Sequence, residues 1–282
     1  MIELNRETFN PDNTFGCGQC FRWWREENAW RGIIEDSLVE VGKSKEHYYA
    51  KVLVGTLDDA ALLNYFDDAT DYETITKHLA EKDKWLEASV AYGKGIRLLR
   101  QYPFETLMTF ILSSNNNIPK IKMSLEDLAS RFGSPIAFEN RIYYTFPTAE
   151  ALEHVTLEEL KVKAAGYRTT ALKKAVERLM VDGVRLDGPY ALSYDDGKTW
   201  LKSFYGVGDK VADCVLLFAY AKTEAFPVDT WVKRMLRELY GVEDKQSAYD
   251  AFVSAYFSKY GGFAQQYLFH YMRLSHSKRG ES

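Results

Sequence analysis

The sequence predicts an α+β protein, with an antiparallel β-rich domain first and a mostly α-helical domain after it. Between Thr14 and Gly55, short runs of alternating apolar and polar residues are separated by polar turns, which is typical of an antiparallel meander. From Asp58 onward the apolar residues recur at helical spacing instead. We therefore predict a β-rich domain with one or two helices at residues 1–92 and a helical domain at residues 93–282.

The elements of the β-rich domain follow one another closely. Four segments combine β-branched and aromatic residues with polar turns between them. They cover residues 21–25, 29–34, 37–41 and 48–54. We expect these four segments to pair as neighbours in one antiparallel sheet.

The helical domain contains several well-marked elements. Residues 118–132 carry apolar side chains at intervals of three and four, with Pro119 early and Gly133 at the end, and this pattern predicts one amphipathic helix. Thr156 and Glu159 form a capping-box pattern, and Gly166 is placed to end the helix that it would begin. Further helices are predicted from Leu172 onward and over residues 231–240, 248–259 and 263–274.

The composition indicates a soluble globular protein. Of the 282 residues, 46% are hydrophobic and 15% are aromatic, which is ample for real cores. No apolar run approaches the roughly 20 residues that cross a bilayer, and the N-terminus has no signal-peptide pattern. We therefore expect a cytoplasmic protein without a membrane partner.

The charge distribution leaves the partner open. A net charge of −4 argues weakly against nucleic acid, but the positions of the charges matter more than their sum. Residues 94–122 and 161–178 are locally basic, whereas acidic residues concentrate around residues 58–87. The basic segments could be ordinary solvated helix faces or a nucleic-acid surface.

Cys17 and Cys20 have the spacing of half a zinc site or a redox pair. A structural zinc needs four ligands, but the only other cysteine is Cys214 and the only nearby histidine is His47. A redox pair is expected at the start of a helix, whereas these residues precede a predicted strand. We expect neither function here, and three cysteines fit a reducing compartment.

A two-glycine hairpin joins two predicted helices within residues 196–220. Its turn is formed by Gly206, Val207 and Gly208; glycine permits positive φ, and the free N–H groups of the next helix suit a phosphate. Lys210 follows in the first turn of that helix, and Asp229 precedes another helix. An amine near a carboxylate suggests covalent chemistry on a nucleic acid. Equally, Lys210 could be a solvated charge and Asp229 a helix N-cap.

Three consecutive asparagines occupy a predicted helix junction at residues 115–117. Asn117 suits an N-cap before Pro119. Asn115 and Asn116 would then be exposed amides, which can fill space beside bases. The local pattern does not decide between a turn and a binding element.

Taken together and in order along nearly the whole chain, the motifs resemble the 8-oxoguanine DNA glycosylase/AP lyases, a family with a helix-hairpin-helix and a Gly/Pro-Asp signature. The four clustered cysteines that would hold an iron–sulfur cluster are absent. The matching stretches are Gly-Gln-Cys-Phe-Arg-Trp at 18–23, Arg-Leu-Leu-Arg-Gln-Tyr-Pro-Phe-Glu at 97–105, Ser-Ser-Asn-Asn-Asn-Ile at 113–118, Ala-Gly-Tyr-Arg at 165–168, Gly-Val-Gly-Asp-Lys-Val-Ala-Asp-Cys at 206–214, Phe-Pro-Val-Asp at 226–229 and Phe-Ala-Gln-Gln-Tyr-Leu-Phe at 263–269.

The resemblance implies base excision from duplex DNA by a monomer, with no required cofactor, although the hairpin carbonyls could hold a cation. The nucleotide is flipped out of the stack. Lys210 then attacks C1′, and elimination from the resulting Schiff base nicks the strand. The attack needs a neutral amine, whereas free lysine has a pKa near about 10.4, so burial beside the sugar is the expected activator. Asp229 stabilises positive charge on the sugar.

The resemblance also implies which residues recognise the lesion and which fill the gap that the flipped nucleotide leaves in the duplex. The carbonyl of Gly18 would read the N7–H that distinguishes 8-oxoguanine from guanine. Gln265 would bind the Watson–Crick edge, and Cys214 and Phe269 would sandwich the base. On the DNA side, Asn115 fills the vacated space, Tyr167 wedges into the opposite strand, and Arg168 contacts the orphaned cytosine with Lys120 beside it.

Two positions depart from the eukaryotic pattern, which has an arginine at Lys120 and a histidine at Trp231. Lysine cannot make a bidentate guanidinium contact, so we predict a weaker preference for cytosine opposite the lesion. Two alternatives stay open: a non-catalytic helix-hairpin-helix DNA-binding protein and an alkylpurine glycosylase. The absence of a targeting arm favours a prokaryotic, nucleoid-associated protein.

Overall fold

A five-stranded antiparallel sheet forms the first part of the computed structural model, which describes residues 1–277. The strand order is β1-β5-β4-β3-β2, so the predicted meander is present and an unpredicted N-terminal strand pairs with its last member. A short helix precedes the meander and was not predicted. The elements are β1 (Ile2–Leu4), α1 (Pro11–Gly16), β2 (Trp23–Arg25), β3 (Ala29–Ile34), β4 (Ser37–Lys43) and β5 (Tyr48–Val54).

Helices dominate the rest of the chain, and the predicted α+β organisation is confirmed. None of the helices in the described part is long and apolar enough to cross a membrane. The elements are α2 (Asp59–Tyr65), α3 (Tyr72–Ala80), α4 (Lys84–Tyr92), α5 (Pro103–Ser113), α6 (Ile118–Phe132), β6 (Pro135–Phe138), β7 (Arg141–Tyr144), α7 (Ala149–Glu153), α8 (Arg168–Met180), α9 (Gly188–Ala191), α10 (Tyr194–Lys202), α11 (Asp209–Tyr220), α12 (Thr230–Tyr240), α13 (Gln246–Tyr256), a 3₁₀ turn (Ser258–Tyr260) and α14 (Gly261–Ser277).

The first 92 residues carry four helices, more than the one or two expected. The acidic residues of this region supply the extra helix starts. Asp58, Asp71 and Asp83 cap α2, α3 and α4 by accepting backbone N–H groups. A carboxylate at a helix N-terminus accepts from free N–H groups and interacts favourably with the helix dipole. Three of the nine acidic residues at 58–87 therefore serve as helix caps.

The cores do not follow the order of the chain. Phe15 stacks on Trp23 at 4.0 Å between ring centroids and belongs to a core between the sheet and α2. Leu79 of α3 and Leu86 of α4 instead belong to the larger core of the helical part. These two helices precede the predicted division at residue 92, which stays a prediction.

A small hairpin, β6–β7, interrupts the helical part and was not predicted. Ile136 and Tyr143 from this hairpin pack with Ile33 and Leu38 of the large sheet. The contact closes the otherwise free face of the sheet, so residues from both parts of the chain share one interface.

The predicted helix after Thr156 is wrong, although its capping box forms. The backbone N–H of Thr156 donates to Glu159 Oε2 at 2.9 Å, and the N–H of Glu159 donates to Thr156 Oγ1 at 3.2 Å. Beyond that turn, Arg131 donates to two backbone carbonyl groups of the segment, which a helix would need for itself. Ala164 and Gly166 also have φ of +59° and +57°, which a right-handed helix cannot contain.

Candidate active site

The two-glycine hairpin lies between α10 and α11 as predicted. Gly206 has φ of +80°, and a Cβ at this position would lie 2.8 Å from the Cβ of Ala171 on α8, so only glycine fits. Gly208 is extended and faces open space. No side-chain hydrogen bond caps α11 in the described part of the chain, so its first N–H groups are free to bind an anion.

Lys210 lies in the first turn of α11 and reaches the end of α5. Its Nζ donates to Ser113 Oγ at 2.8 Å and lies 5.1 Å from the centroid of the Phe110 ring. The Ser113 hydroxyl itself donates to the Phe110 carbonyl at 2.7 Å, so it presents a lone pair to the amine. The serine and the ring therefore fix the position of Nζ.

Asp229 is the N-cap of α12, as its structural interpretation predicted. Its Oδ1 accepts from the backbone N–H of Val232 at 2.8 Å. Asp229 and Lys210 line the same two cavities: an open groove of about 1180 Å³ and a smaller inner pocket of about 340 Å³. The cap holds the carboxylate at the start of α12, where Asp229 lines both cavities together with Lys210.

The four residues predicted to recognise the base all line the inner pocket with Lys210. Phe269 and Gln265 come from α14, and Cys214 comes from α11 one turn after the lysine. Burial raises the pKa of the Cys214 thiol to about 12, so this wall of the pocket is neutral at physiological pH. Gly18 comes from the loop between α1 and β2, so three distant segments meet at one cavity.

Gln265 carries a buried side-chain oxygen that has no hydrogen-bond partner in the described part of the inner pocket. Its side chain is 6% exposed, and its Oε1 has no hydrogen-bond partner among residues 1–277. A buried polar atom without a partner is costly, so a group that donates to this oxygen from within the pocket would be stabilised.

Gly18 is held against the aromatic wall of the inner pocket. Its φ is +87°, and a Cβ here would lie 3.2 Å from a ring carbon of Phe269. A side chain would be strained and would also push the ring. The absence of a side chain thus lets the backbone at residue 18 approach whatever packs on Phe269.

The structure gives the three consecutive asparagines different positions. Asn117 caps α6 by accepting from the N–H of Lys120 at 3.0 Å, as predicted, and Asn116 Nδ2 donates to the carbonyl of Leu112 at 2.9 Å. Asn115 is exposed, with φ of +48°. All three line the groove, and Asn115 is the one whose side chain makes no hydrogen bond within residues 1–277.

The remaining DNA-side residues are brought next to the asparagine loop. The Tyr167 side chain is 69% exposed, and Lys120 is exposed along the groove. Arg168 is 8% exposed, and its guanidinium donates at 2.6 Å to the carbonyls of both Ser114 and Asn115. In this structure Arg168 supports the loop, so contact with an opposite base would require those bonds to break. Its proposed role stays a prediction.

Sequence reasoning missed the partners that pack around the predicted residues. Ser113 holds the amine, but nothing in its motif indicates that α5 lies along α11. Asp213 was also missed: it is 4% exposed and accepts from Tyr194 Oη at 2.7 Å and Lys198 Nζ at 3.0 Å. Burial raises the pKa of Asp213 to about 6, against the opposing effect of Lys198. Both residues line the groove.

Two family descriptions match the chain in succession. Residues 1–107 match the 8-oxoguanine DNA glycosylase N-terminal domain, and residues 108–253 match the HhH-GPD superfamily base excision DNA repair protein. The helix-hairpin-helix and the Asp229 position lie within the second match.

Similar proteins cover most of the chain. A probable N-glycosylase/DNA lyase of Methanothermobacter thermautotrophicus is 30% identical over 285 residues, covering 89% of each chain. The N-glycosylase/DNA lyase of Saccharomyces cerevisiae is 29% identical and covers 86% of this chain and 71% of its own length. The 8-oxoguanine glycosylase/lyase of Clostridium acetobutylicum, solved with duplex DNA carrying cytosine opposite 8-oxoguanine, is 38% identical with a TM-score of 0.89, covering 96% of this chain and 93% of the other.

Proposed function

The chain belongs to the HhH-GPD superfamily of base excision DNA repair proteins, and from this premise we propose that it is a bifunctional 8-oxoguanine DNA glycosylase and AP lyase. One observation carries the proposal: Lys210 and Asp229 line the same inner pocket as Gly18, Gln265 and Phe269. A nucleophile, a carboxylate and a base-sized recognition wall in one cavity suit excision of a flipped base. The partner is duplex DNA containing 8-oxoguanine.

The amine and the carboxylate that the reaction needs both line the inner pocket. The neutral amine of Lys210 attacks C1′ while the glycosidic C1′–N9 bond breaks, and the bonding electrons leave with the base, which takes up a proton. The Asp229 carboxylate stabilises the positive charge that develops on the sugar. The amine now bonded to C1′ loses a proton, and the C1′–O4′ bond breaks with O4′ taking up a proton, so the sugar ring opens and a Schiff base forms. Loss of a proton from C2′ then breaks the C3′–O bond, the phosphate leaves with the bonding electrons, and the strand is nicked.

The surrounding DNA binds outside the inner pocket. The free N–H groups at the start of α11 anchor a phosphate, and Asn115 and Tyr167 occupy the gap and the opposite strand. We propose that the reaction needs no cofactor and that a cation at the hairpin carbonyls would act only in holding the phosphate. Duplex DNA as the substrate favours action at the nucleoid in the cytoplasm.

Borohydride trapping tests the proposed chemistry. The unmutated protein on an 8-oxoguanine duplex should give a covalent protein–DNA adduct, because borohydride reduces the Schiff base to a stable amine. Lys210→Gln should abolish the adduct, whereas Lys77→Gln, an exposed lysine on α3, should retain it. No adduct from the unmutated protein would instead support a non-catalytic DNA-binding protein or a monofunctional glycosylase.

The alkylpurine alternative is tested on the same 8-oxoguanine duplex and on a duplex that carries an alkylated purine. A glycosylase for 8-oxoguanine should lose excision when Gln265→Ala removes the edge contact. Unchanged 8-oxoguanine excision in this variant, together with faster release of alkylated purines by the unmutated protein, would favour the alternative.

A further inference from the structure

The loop before β2 has an uneven pattern of backbone hydrogen bonds. Three of its carbonyl groups accept from side chains, whereas the carbonyl of Gly18 has no partner within residues 1–277. The bonds are Arg273 Nη2 to the Gly16 carbonyl, Gln266 Nε2 to the Cys17 carbonyl at 2.7 Å, and Gln101 Nε2 to the Gln19 carbonyl at 2.8 Å.

The side chain of Gln19, which is completely buried, also ties the loop to residues 97–99. Its Nε2 donates to the carbonyl of Arg97 at 2.7 Å, and its Oε1 accepts from the N–H of Leu99 at 2.8 Å. Hydrogen bonds away from water are strong, and breaking one leaves a buried group unsatisfied. The Cys17 and Gln19 carbonyls on either side of Gly18 are therefore held by side chains, and the Gly18 carbonyl between them is available to a ligand.

We propose that Gln266 and Arg273 form a clamp that positions the Gly18 carbonyl for the discrimination of 8-oxoguanine from guanine; this proposal rests on the proposed function. Both residues lie on α14, the helix that carries Gln265 and Phe269. Gln266 is 2% exposed, so its amide has no competing water. One helix thus sets the spacing between the free carbonyl, the aromatic wall and the edge-binding amide.

The geometry makes the clamp a specificity device. The lesion differs from guanine at N7 by an N–H donor in place of an acceptor, and a hydrogen bond weakens steeply once its distance and angle depart from the preferred range. A shift of the loop would therefore reduce lesion recognition first. The hydrogen bonds that position the Lys210 amine and the Asp229 carboxylate come from Ser113 on α5 and from the backbone of α12, and not from this loop.

Gln266→Met tests the clamp, because methionine keeps the length and packing but cannot donate. Two single-turnover rates are compared: excision of 8-oxoguanine, and strand cleavage at a preformed abasic site, which has no base to recognise. We expect excision to fall by about 10- to 100-fold with abasic cleavage retained. Arg273→Met should change the rates in the same direction, and it supplies the answer if Gln266→Met does not fold.

Tyr267→Phe is the matched control. It removes another buried bond from α14, that of Tyr267 Oη to the Ile96 carbonyl at 3.1 Å, and it should leave the ratio of the two rates unchanged. An equal fall in both rates, or no fall in either, in the Gln266 and Arg273 variants would overturn the clamp. An unmutated protein that cleaves abasic sites but does not excise 8-oxoguanine would overturn the proposed function, and the clamp with it.

Discussion

Lys120 is the residue at which opposite-base preference can be tested most directly. Its exposed ammonium lines the groove beside the asparagine loop. Because an ammonium cannot make two parallel hydrogen bonds to one base, Lys120→Arg should strengthen the preference for cytosine by about 1 kcal/mol or more, which is about fivefold. Single-turnover excision with each of the four bases opposite 8-oxoguanine measures this preference.

The control for this change is Lys122→Arg, which makes the same substitution on an exposed neighbour of α6 that lies outside the groove. It should leave the preference unchanged. A strong cytosine preference in the unmutated protein that Lys120→Arg does not alter would count against the prediction.

At single positions, the sequence predicts residues that belong to motifs and misses those that act by packing. Gly18 and Lys210 come together in one pocket, as their motifs imply. Ser113 and Gln266 could not be found in this way. Their roles depend on α5 lying along α11 and on α14 reaching a loop 249 positions away in sequence, and neither contact leaves a local pattern.

The hairpin is the element whose sequence and structure agree most closely. Substitutions at its two glycines should have different effects on the free energy of unfolding. Gly206→Ala would place a strained residue at φ of +80° and bring its Cβ to 2.8 Å from Ala171, so α8 and the hairpin must separate. We expect a loss of about 1–3 kcal/mol in the free energy of unfolding and weaker DNA binding. Urea unfolding and a DNA titration measure the two effects.

Gly208→Ser is the companion change in the same turn. The backbone here is extended and the Cβ position is open, so a serine side chain can cap α11 and should preserve or raise stability. Its hydroxyl would compete with a phosphate for the free N–H groups, so DNA affinity should still fall. Equal loss of stability in both variants would refute this distinction.

Element boundaries were predictable where a local signal acts alone. Residues 118–132 form the predicted helix because both of its ends are set by adjacent residues. Asn117 caps the start, and Gly133 follows the last helical residue. The segment after Thr156 carries an equally good start signal, yet Arg131 from another helix takes its carbonyl groups. The prediction failed there because a long-range contact competed with the local hydrogen bonds.

At the scale of the whole molecule, the site ties the two parts of the chain together. The inner pocket needs the Gly18 loop from the first part, and α11 and α14 from the helical part. A net charge of −4 is compatible with DNA binding because the contacts come from a local surface of N–H groups and a few exposed cations. The charge sum alone could not have identified this partner.

The free energy of unfolding should depend on pH through Asp213. Burial raises its pKa from 3.8 to about 6, so between these values the folded protein binds a proton that the unfolded chain does not. Stability from this group is therefore fully present below pH 3.8 and is lost as pH rises through 6. The change amounts to about 3 kcal/mol at most.

Asp213→Asn should remove this dependence because an amide does not titrate and can still accept from Tyr194. As pH rises from 4 to 7, the free energy of unfolding of the variant should increase by about 2–3 kcal/mol relative to that of the unmutated protein. Urea unfolding at the two pH values measures this change. Asp209→Asn is the control of opposite sign, since the Lys202 ammonium lowers the pKa of that carboxyl and its stabilisation is lost on acidification. Parallel stability curves for the unmutated protein and Asp213→Asn would show that the buried carboxylate is fully compensated by Lys198.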